Sequence, residues 1–168
     1  MFKKLNPLAS KNRKDPVKVS VEQCVNDSIR IFEKIIERNN IIAEIQVEPK
    51  LFFRGWKQDL VIALANILEN STYWLEQKSS DGRKISVIAY VDGSSIVIRI
   101  QDTGPGINKE YIRSGVIFEP GISNKIGGGT GIGLPIAGEA ISRNGGELRA
   151  IENDDGALFE IILPRLEE

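Results

Sequence analysis

The chain of 168 residues contains no histidine and a single cysteine, Cys24. Without imidazole there is no histidine general acid or base, no Ser/His/Asp triad, and almost none of the zinc, haem or iron sites that depend on that ring. One cysteine allows neither an internal disulfide nor a four-thiolate metal site, which suits a reducing compartment, and a cytoplasmic location is expected. Long apolar runs are missing as well. Val61 to Leu68 is interrupted by Asn66 and falls far short of the ~20 residues that cross a bilayer, and the N-terminus has no signal-peptide core. Neither sign of charge dominates: 22 Lys and Arg stand against 23 Asp and Glu, so the composition does not call for a nucleic-acid partner. What remains is the composition of a folded domain, 41% hydrophobic and 27% charged, with a length that fits one domain and one sizeable core.

Charge is unevenly spread. Lys3, Lys4, Lys11, Arg13, Lys14 and Lys18 face Asp15 alone, leaving +5 on residues 1–18 and, with a net charge of −1 overall, −6 on residues 19–168. That asymmetry divides the chain into a basic N-terminal segment or linker, 1–18, and a globular part, 19–168. The segment reads either as a solvated junction or as an arm for an acidic partner or nucleic acid, and with Pro7 and Pro16 it is not expected to form one helix.

From Val21 to Ile36 the apolar residues recur at steps of three and four, predicting an amphipathic helix that ends near Asn39-Asn40. Ile41 to Glu48 alternates like a strand. A second helix is predicted from about Trp56 to Gln77. Two β-rich runs, Lys84 to Val91 and Ser94 to Gln101, flank Asp92-Gly93, a pair that favours a type I′ hairpin turn. Between Asp102 and Gly129 periodicity vanishes and glycine accumulates, a length that points to a functional loop. Pro135 then suits a first helical turn, and Asn144-Gly145-Gly146 suits a stop near Arg143. Two last strands, about Glu147 to Glu152 and Ala157 to Leu163, turn at Asp154-Asp155-Gly156. The sum is a two-layer α/β sandwich with a mostly antiparallel sheet.

Three motifs carry chemistry. Asn66 and Asn70, four residues apart in an apolar helix, put two amides on one face; they read as a buried hydrogen-bonded pair or cap, or as a carbonyl ligand to a hard cation such as Mg²⁺. The stretch from Asp102 to Ile107, DTGPGI, follows a strand. It reads as a plain turn, or as a base pocket in which Asp102 accepts a hydrogen bond from an exocyclic amine while Gly104 and Gly106 admit a flat ligand. Adenine has that donor; guanine presents an acceptor there. The run Gly127 to Leu134, GGGTGIGL, opens a helix and leaves backbone N–H groups free for phosphate oxygens. It is neither a P-loop nor a dinucleotide-binding fingerprint, because no Gly-Lys-Ser/Thr follows and the glycine spacing differs.

In this order the three motifs resemble the N, G1 and G2 boxes of the GHKL ATPase superfamily, over about Val17 to Pro164. The segment IFEPGISNK, Ile117 to Lys125, and the closing pattern from Gly145-Gly146 to Leu163-Pro164 resemble the histidine-kinase catalytic and ATP-binding branch. The resemblance implies a Bergerat-type sandwich with helices on one face, ATP and Mg²⁺ as cofactors, and phosphoryl transfer to a histidine on a separate domain or partner, since this sequence contains none. It implies that Asn70 ligates Mg²⁺, that Asp102 holds the adenine amine, and that Gly104, Gly106 and Ile107 line the base pocket. Trp74 takes the place of a tyrosine over adenine. Gly127, Gly128, Gly129, Thr130, Gly131, Ile132, Gly133 and Leu134 form the phosphate cradle, Lys125 is the lid cation, and Phe118 anchors the lid. Asn66, Asn70 and Lys125 make up the catalytic set.

Two positions depart from the pattern. Tyr73 stands where many histidine kinases carry Lys or Arg for phosphate. Asn66 stands where the gyrase and chaperone branches have a glutamate that activates water, and an amide cannot take that proton. Glu69, about 100° round the helix from Asn70, is expected to point elsewhere. An ATP-driven switch with slow hydrolysis and a non-turnover ATP sensor are the alternative functions.

Overall fold

Ser20 closes a short strand and opens the first helix: its side chain accepts a hydrogen bond from the Gln23 N–H at 3.3 Å, satisfying one of the donors a helix start leaves free. The computed structural model describes residues 13–167. In chain order its elements are β1 (Val17–Ser20), α1 (Val21–Arg38), β2 (Ile42–Val47), β3 (Phe52–Gly55), α2 (Lys57–Glu76), β4 (Lys84–Asp92), β5 (Ser95–Asp102), α3 (Lys109–Ser114), a 3₁₀ turn (Val116–Phe118), α4 (Gly133–Arg143), β6 (Glu147–Ile151) and β7 (Leu158–Pro164). Five strands form one sheet in the order β2-β4-β5-β7-β6, and β1 pairs with β3. Only β2 and β4 run parallel in the large sheet; the other pairs are antiparallel.

Strand alternation assigns the faces. Val87 lies opposite Ile100, and Ile100 opposite Phe159, so Ile85, Val87, Ala89, Ile96, Ile98, Ile100, Phe159, Ile161 and Leu163 form one buried row set. Burying each large aliphatic or aromatic side chain there contributes about 1.5–3 kcal/mol before entropy is counted. The helices cover this face. α2 packs between α1 and α4 and is buried around much of its circumference, at Leu60, Ala63, Leu64, Ile67, Leu68 and Leu75. α1 buries only a stripe, from Val21 through Cys24, Val25 and Phe32 to Ile36. The opposite sheet face carries Ile88, Arg99, Glu160 and Arg149 in register, with Arg99 and Glu160 paired at 2.9 Å. The expected two-layer sandwich, its mostly antiparallel sheet and its helices on one face are therefore what the chain forms.

Three local expectations need correction. The hairpin turn is centred on Gly93 and Ser94, because Asp92 still pairs with Ser95; of the two, only Gly93 has a positive φ, +59°, which fits a type II′ turn rather than type I′. The stretch taken as aperiodic holds α3, started by Asn108, whose side-chain oxygen accepts from the Glu110 N–H at 2.8 Å. The β1–β3 pair was not foreseen, being four residues long on each side. The stop after α4 is as expected, a Schellman arrangement in which Gly146 N–H donates to Ile141 O and Gly145 N–H to Ser142 O, both at 3.0 Å.

Of the basic segment 1–18, residues 1–12 lie outside the described residues, and Val17 and Lys18 belong to β1. Arg13 lies on the domain: its guanidinium bonds both oxygens of Asp59, at 2.7 and 2.6 Å, and sits 4.6 Å from the centre of the Trp56 ring. Asp59 is buried and is also bonded by Arg143 at the end of α4, so two cations compensate one carboxylate.

Candidate functional site

Residues 96, 98 and 100 of β5 face the helices, so strand parity sends the Asp102 side chain the same way, into the layer below α2. There it is 4% exposed. Its Oδ2 accepts from the Ser71 hydroxyl at 2.8 Å, and its Oδ1 accepts from Gly104 N–H at 2.9 Å and Ala157 N–H at 3.2 Å. Burial raises the Asp102 pKa above its ordinary value of 3.8, against the opposing pull of these donors and of Lys78. The close approach of β7 depends on Gly156, at φ +83°, where a Cβ would lie 1.9 Å from the Asp102 carbonyl oxygen.

Asp102 forms part of the wall of a cavity of about 420 Å³. Helix α2 supplies Glu69, Asn70, Tyr73 and Trp74; the segment after β5 supplies Gly106 and Ile107; the glycine loop supplies Lys125, Gly128, Gly129, Thr130 and Gly131; and α4 supplies Gly133 and Leu134. α4 begins without a side-chain cap, which leaves its first amides open toward the cavity. Gly121 N–H donates to Gly131 O at 3.0 Å and closes the neck of the loop. A Cβ on Gly131 (φ +64°) would lie 2.6 Å from the Gly121 backbone.

Most residues singled out in the sequence thus come together, and four do not reach the wall. Asn66 donates from its amide to Ile62 O at 2.9 Å, and its oxygen is 3.0 Å from where a Cβ on Gly133 would sit; it supports the first turn of α4 from outside the cavity. Gly104 is spent on the bond to Asp102. Gly127 and Ile132 lie off the wall, Ile132 as the residue that precedes α4. Glu69 was expected to point away, yet it lines the cavity, whose mouth spans an arc of α2 from Glu69 to Trp74. Ile117, rather than Phe118, packs on the core and reaches the cavity.

Sequence reasoning overlooked Ser71 and underused Tyr73. A serine inside an apolar helix was the available signal for the first, since such a residue needs a partner. The Tyr73 hydroxyl accepts from Ile126 N–H at 2.8 Å, its ring lies 5.0 Å below the Lys125 ammonium, and it meets Trp74 edge-on at 5.1 Å. Asn70 differs from these residues. Its side chain has no hydrogen-bond partner among the described residues, which leaves an amide oxygen at the cavity for a ligand. Those residues contain no cluster of acidic or thiol groups that could hold a metal unaided, and no helix among them is long and apolar enough to cross a membrane.

Comparison with known proteins agrees with this fold. The sequence model of the histidine kinase-, DNA gyrase B- and HSP90-like ATPases matches residues 56–167. The sensor protein CitS of Halalkalibacterium halodurans is 34% identical over 153 residues, which are 85% of this chain and 28% of CitS. The chain therefore spans under a third of that relative's length. Among solved structures, a mycobacterial sensor histidine kinase, MprB, superposes with a TM-score of 0.75 at 26% identity, covering 91% of this chain and 99% of that one. Full-length ShkA in complex with AMPPNP gives a TM-score of 0.77 at 20% identity, covering 93% of this chain and 32% of ShkA, a likeness of fold.

Proposed function

Because the chain belongs to the histidine kinase-, DNA gyrase B- and HSP90-like ATPase family, we propose that its cavity binds ATP with Mg²⁺ and presents the γ-phosphoryl group to a histidine on another domain or protein. The observation that carries this reading is Asp102, a buried carboxylate with donors already on both oxygens and lone-pair capacity left for the cavity. An exocyclic amine at that point completes the set. The guanine carbonyl would oppose a buried carboxylate, so the pocket selects adenine.

The roles of the other residues follow from their chemistry. Trp74 gives an apolar surface to the base. The uncapped start of α4 and the glycine amides face the phosphates, where N–H groups and the helix dipole favour negative charge. Lys125 neutralises charge at the terminal phosphate. Asn70, whose side chain has no hydrogen-bond partner among the described residues, fits Mg²⁺ as a single oxygen donor, the pattern for an ion held largely by phosphates and water rather than by a protein cage. A bound Mg²⁺ supplies further charge neutralisation on the phosphates. The phosphoryl group then passes in line to an imidazole nitrogen while ADP leaves, and catalysis consists of positioning and charge stabilisation. The acceptor lies outside this sequence, which has no histidine. Use of ATP supports a cytoplasmic setting.

Calorimetric titration with ATP and GTP, each with and without Mg²⁺, tests the pocket. We expect ATP to bind selectively and Mg²⁺ to tighten it; equal binding of GTP would sink the role of Asp102. Incubation with Mg²⁺-ATP and a histidine-bearing acceptor domain from a sensor histidine kinase such as MprB should yield an acid-labile, alkali-stable phosphoprotein. Steady phosphate release without any acceptor would favour the hydrolytic switch instead.

A further inference from the structure

Loop 121–131 has five glycines in eleven residues, and beyond its neck it is held at one place. Among the described residues, every hydrogen bond leaving it runs to the Tyr73 hydroxyl, which accepts from Ile126 N–H at 2.8 Å and faces Ile126 O at 3.4 Å. Lys125, the residue before, lies with its ammonium 5.0 Å from the centre of the Tyr73 ring. The ring is braced in turn by Trp74, edge-on at 83°. Tyr73 is three residues after Asn70, so both are on one face of α2 and both line the cavity.

From this we infer that Tyr73 is a positioning residue: its hydroxyl docks the loop and its ring sets where the Lys125 ammonium stands at the phosphate end of the cavity. This rests on the reading of the cavity as an ATP site. Tyr73 cannot supply the cation itself, so helix α2 contributes the platform and the loop contributes the charge. A cation held against a ring face by the quadrupole, with the adjacent backbone N–H fixed by a hydroxyl, has lost much of the freedom that a lysine on a glycine loop would otherwise keep. Phosphate recognition and loop closure thus become one event. A nucleotide with a β–γ phosphate chain feels Tyr73, and a nucleoside monophosphate does not.

Two measurements on the chain and its Tyr73→Ala and Tyr73→Phe variants test this. The first needs no nucleotide: trypsin cleaves after Lys125, and undocking the loop exposes that bond. We expect the initial cleavage rate at Lys125 to rise about tenfold in Tyr73→Ala, the combined worth of a hydrogen bond and a cation–π contact. The second is the ratio of AMP to ATP dissociation constants. Tyr73→Ala should weaken ATP about tenfold and leave AMP unchanged, and Lys125→Ala combined with it should add little. Tyr73→Phe keeps the ring, so it should restore most of the ratio while remaining faster to cleave than wild type. Equal cleavage rates in Tyr73→Ala and wild type overturn the inference and leave the ATP reading standing, as does an equal loss of AMP and ATP affinity. Faster cleavage in a chain whose wild type binds no ATP overturns the ATP reading, and with it the phosphate role of this pair.

Discussion

Asp102, at the floor of the cavity, accepts hydrogen bonds from three separate parts of the chain, α2, the turn after β5 and the residue before β7, whereas among the described residues the loop over the cavity, beyond its neck, has its hydrogen bonds to the rest of the protein at the Tyr73 hydroxyl alone. The floor belongs to the hydrophobic core: Ile85, the register partner of Asp102, and Phe159, which lines the cavity, are 0% and 3% exposed. The loop buries no hydrophobic residue, and Ile126 is 81% exposed. In the proposed ATP site a rigid floor would fix which base is accepted before any ligand arrives, because its polar groups need no reorganisation. A loosely attached roof would set how quickly that ligand enters and leaves, and whether its phosphates are held.

The sharpest way to break the floor is Gly156→Ala. A Cβ there falls 1.9 Å from the Asp102 carbonyl oxygen, a backbone atom that cannot swing aside, at a φ of +83°. We expect a loss of about 4 kcal/mol, in the range reserved for clashes inside a packed core, read as a fall in the urea midpoint. Native-like stability would show that β7 can move without cost and that the floor is not rigid.

Asp102→Asn separates the ligand role of the floor from its structural role. The amide keeps an acceptor for Gly104 and Ala157 and fits the same space, so the fold should survive, while ATP affinity falls by about 1–3 kcal/mol for loss of a charge-assisted bond. The pH dependence has a definite sign. A carboxyl whose folded pKa is raised adds stability that is whole below its unfolded value and is lost as pH climbs through the folded one. The ligand-free chain should therefore give up part of its stability from just below pH 3.8 upward, and Asp102→Asn should remove that component. Identical pH profiles of urea midpoints for the two proteins would contradict burial as the dominant influence on this group.

Asn70→Ala acts between floor and roof. With no partner for its amide among the described residues, the substitution should barely alter stability. It should cost about 1 kcal/mol in Mg²⁺-ATP binding, the worth of one ligand bond among several supplied by phosphate and water, and leave Mg²⁺-free binding unchanged. Calorimetry with and without the metal reads the difference, and an undiminished Mg²⁺ effect would move the ion to another residue.

The same contrast explains which parts could be read from the sequence. α1 and the β4–β5 hairpin show clear periods because each has one face against the core, and parity along β5 even carries Asp102 to its place. α3 escaped because its six residues bury none of their number and so leave no periodic trace. β1 and β3 escaped because their pairing joins segments some 35 residues apart, through four residues each. In the site, most residues that line the cavity were visible as motifs. Those that hold them were not: Ser71 and Tyr73 act through contacts that only tertiary packing creates. Asn66 failed in the other direction, since its spacing from Asn70 is right but its amide turns back to the Ile62 carbonyl, a local bond open to any helical asparagine.

Gly128→Ala tests the roof with the same change that should wreck the floor. Gly128 has a φ of +79°, close to that of Gly156, but a Cβ there would meet nothing within 4 Å. The backbone strain of a left-handed alanine is ~1–2 kcal/mol when the surroundings enforce it. Around Gly128 little enforces it, since the flanking glycines can absorb the change, and strain in a segment that opens on its own is capped by the free energy of that local opening. The expected loss in global stability is about 0.5 kcal/mol, with a larger change in ATP dissociation rate than in urea midpoint. A midpoint shift approaching that of Gly156→Ala would mean that the loop unfolds together with the core, and the division between a fixed floor and a mobile roof would have to be abandoned.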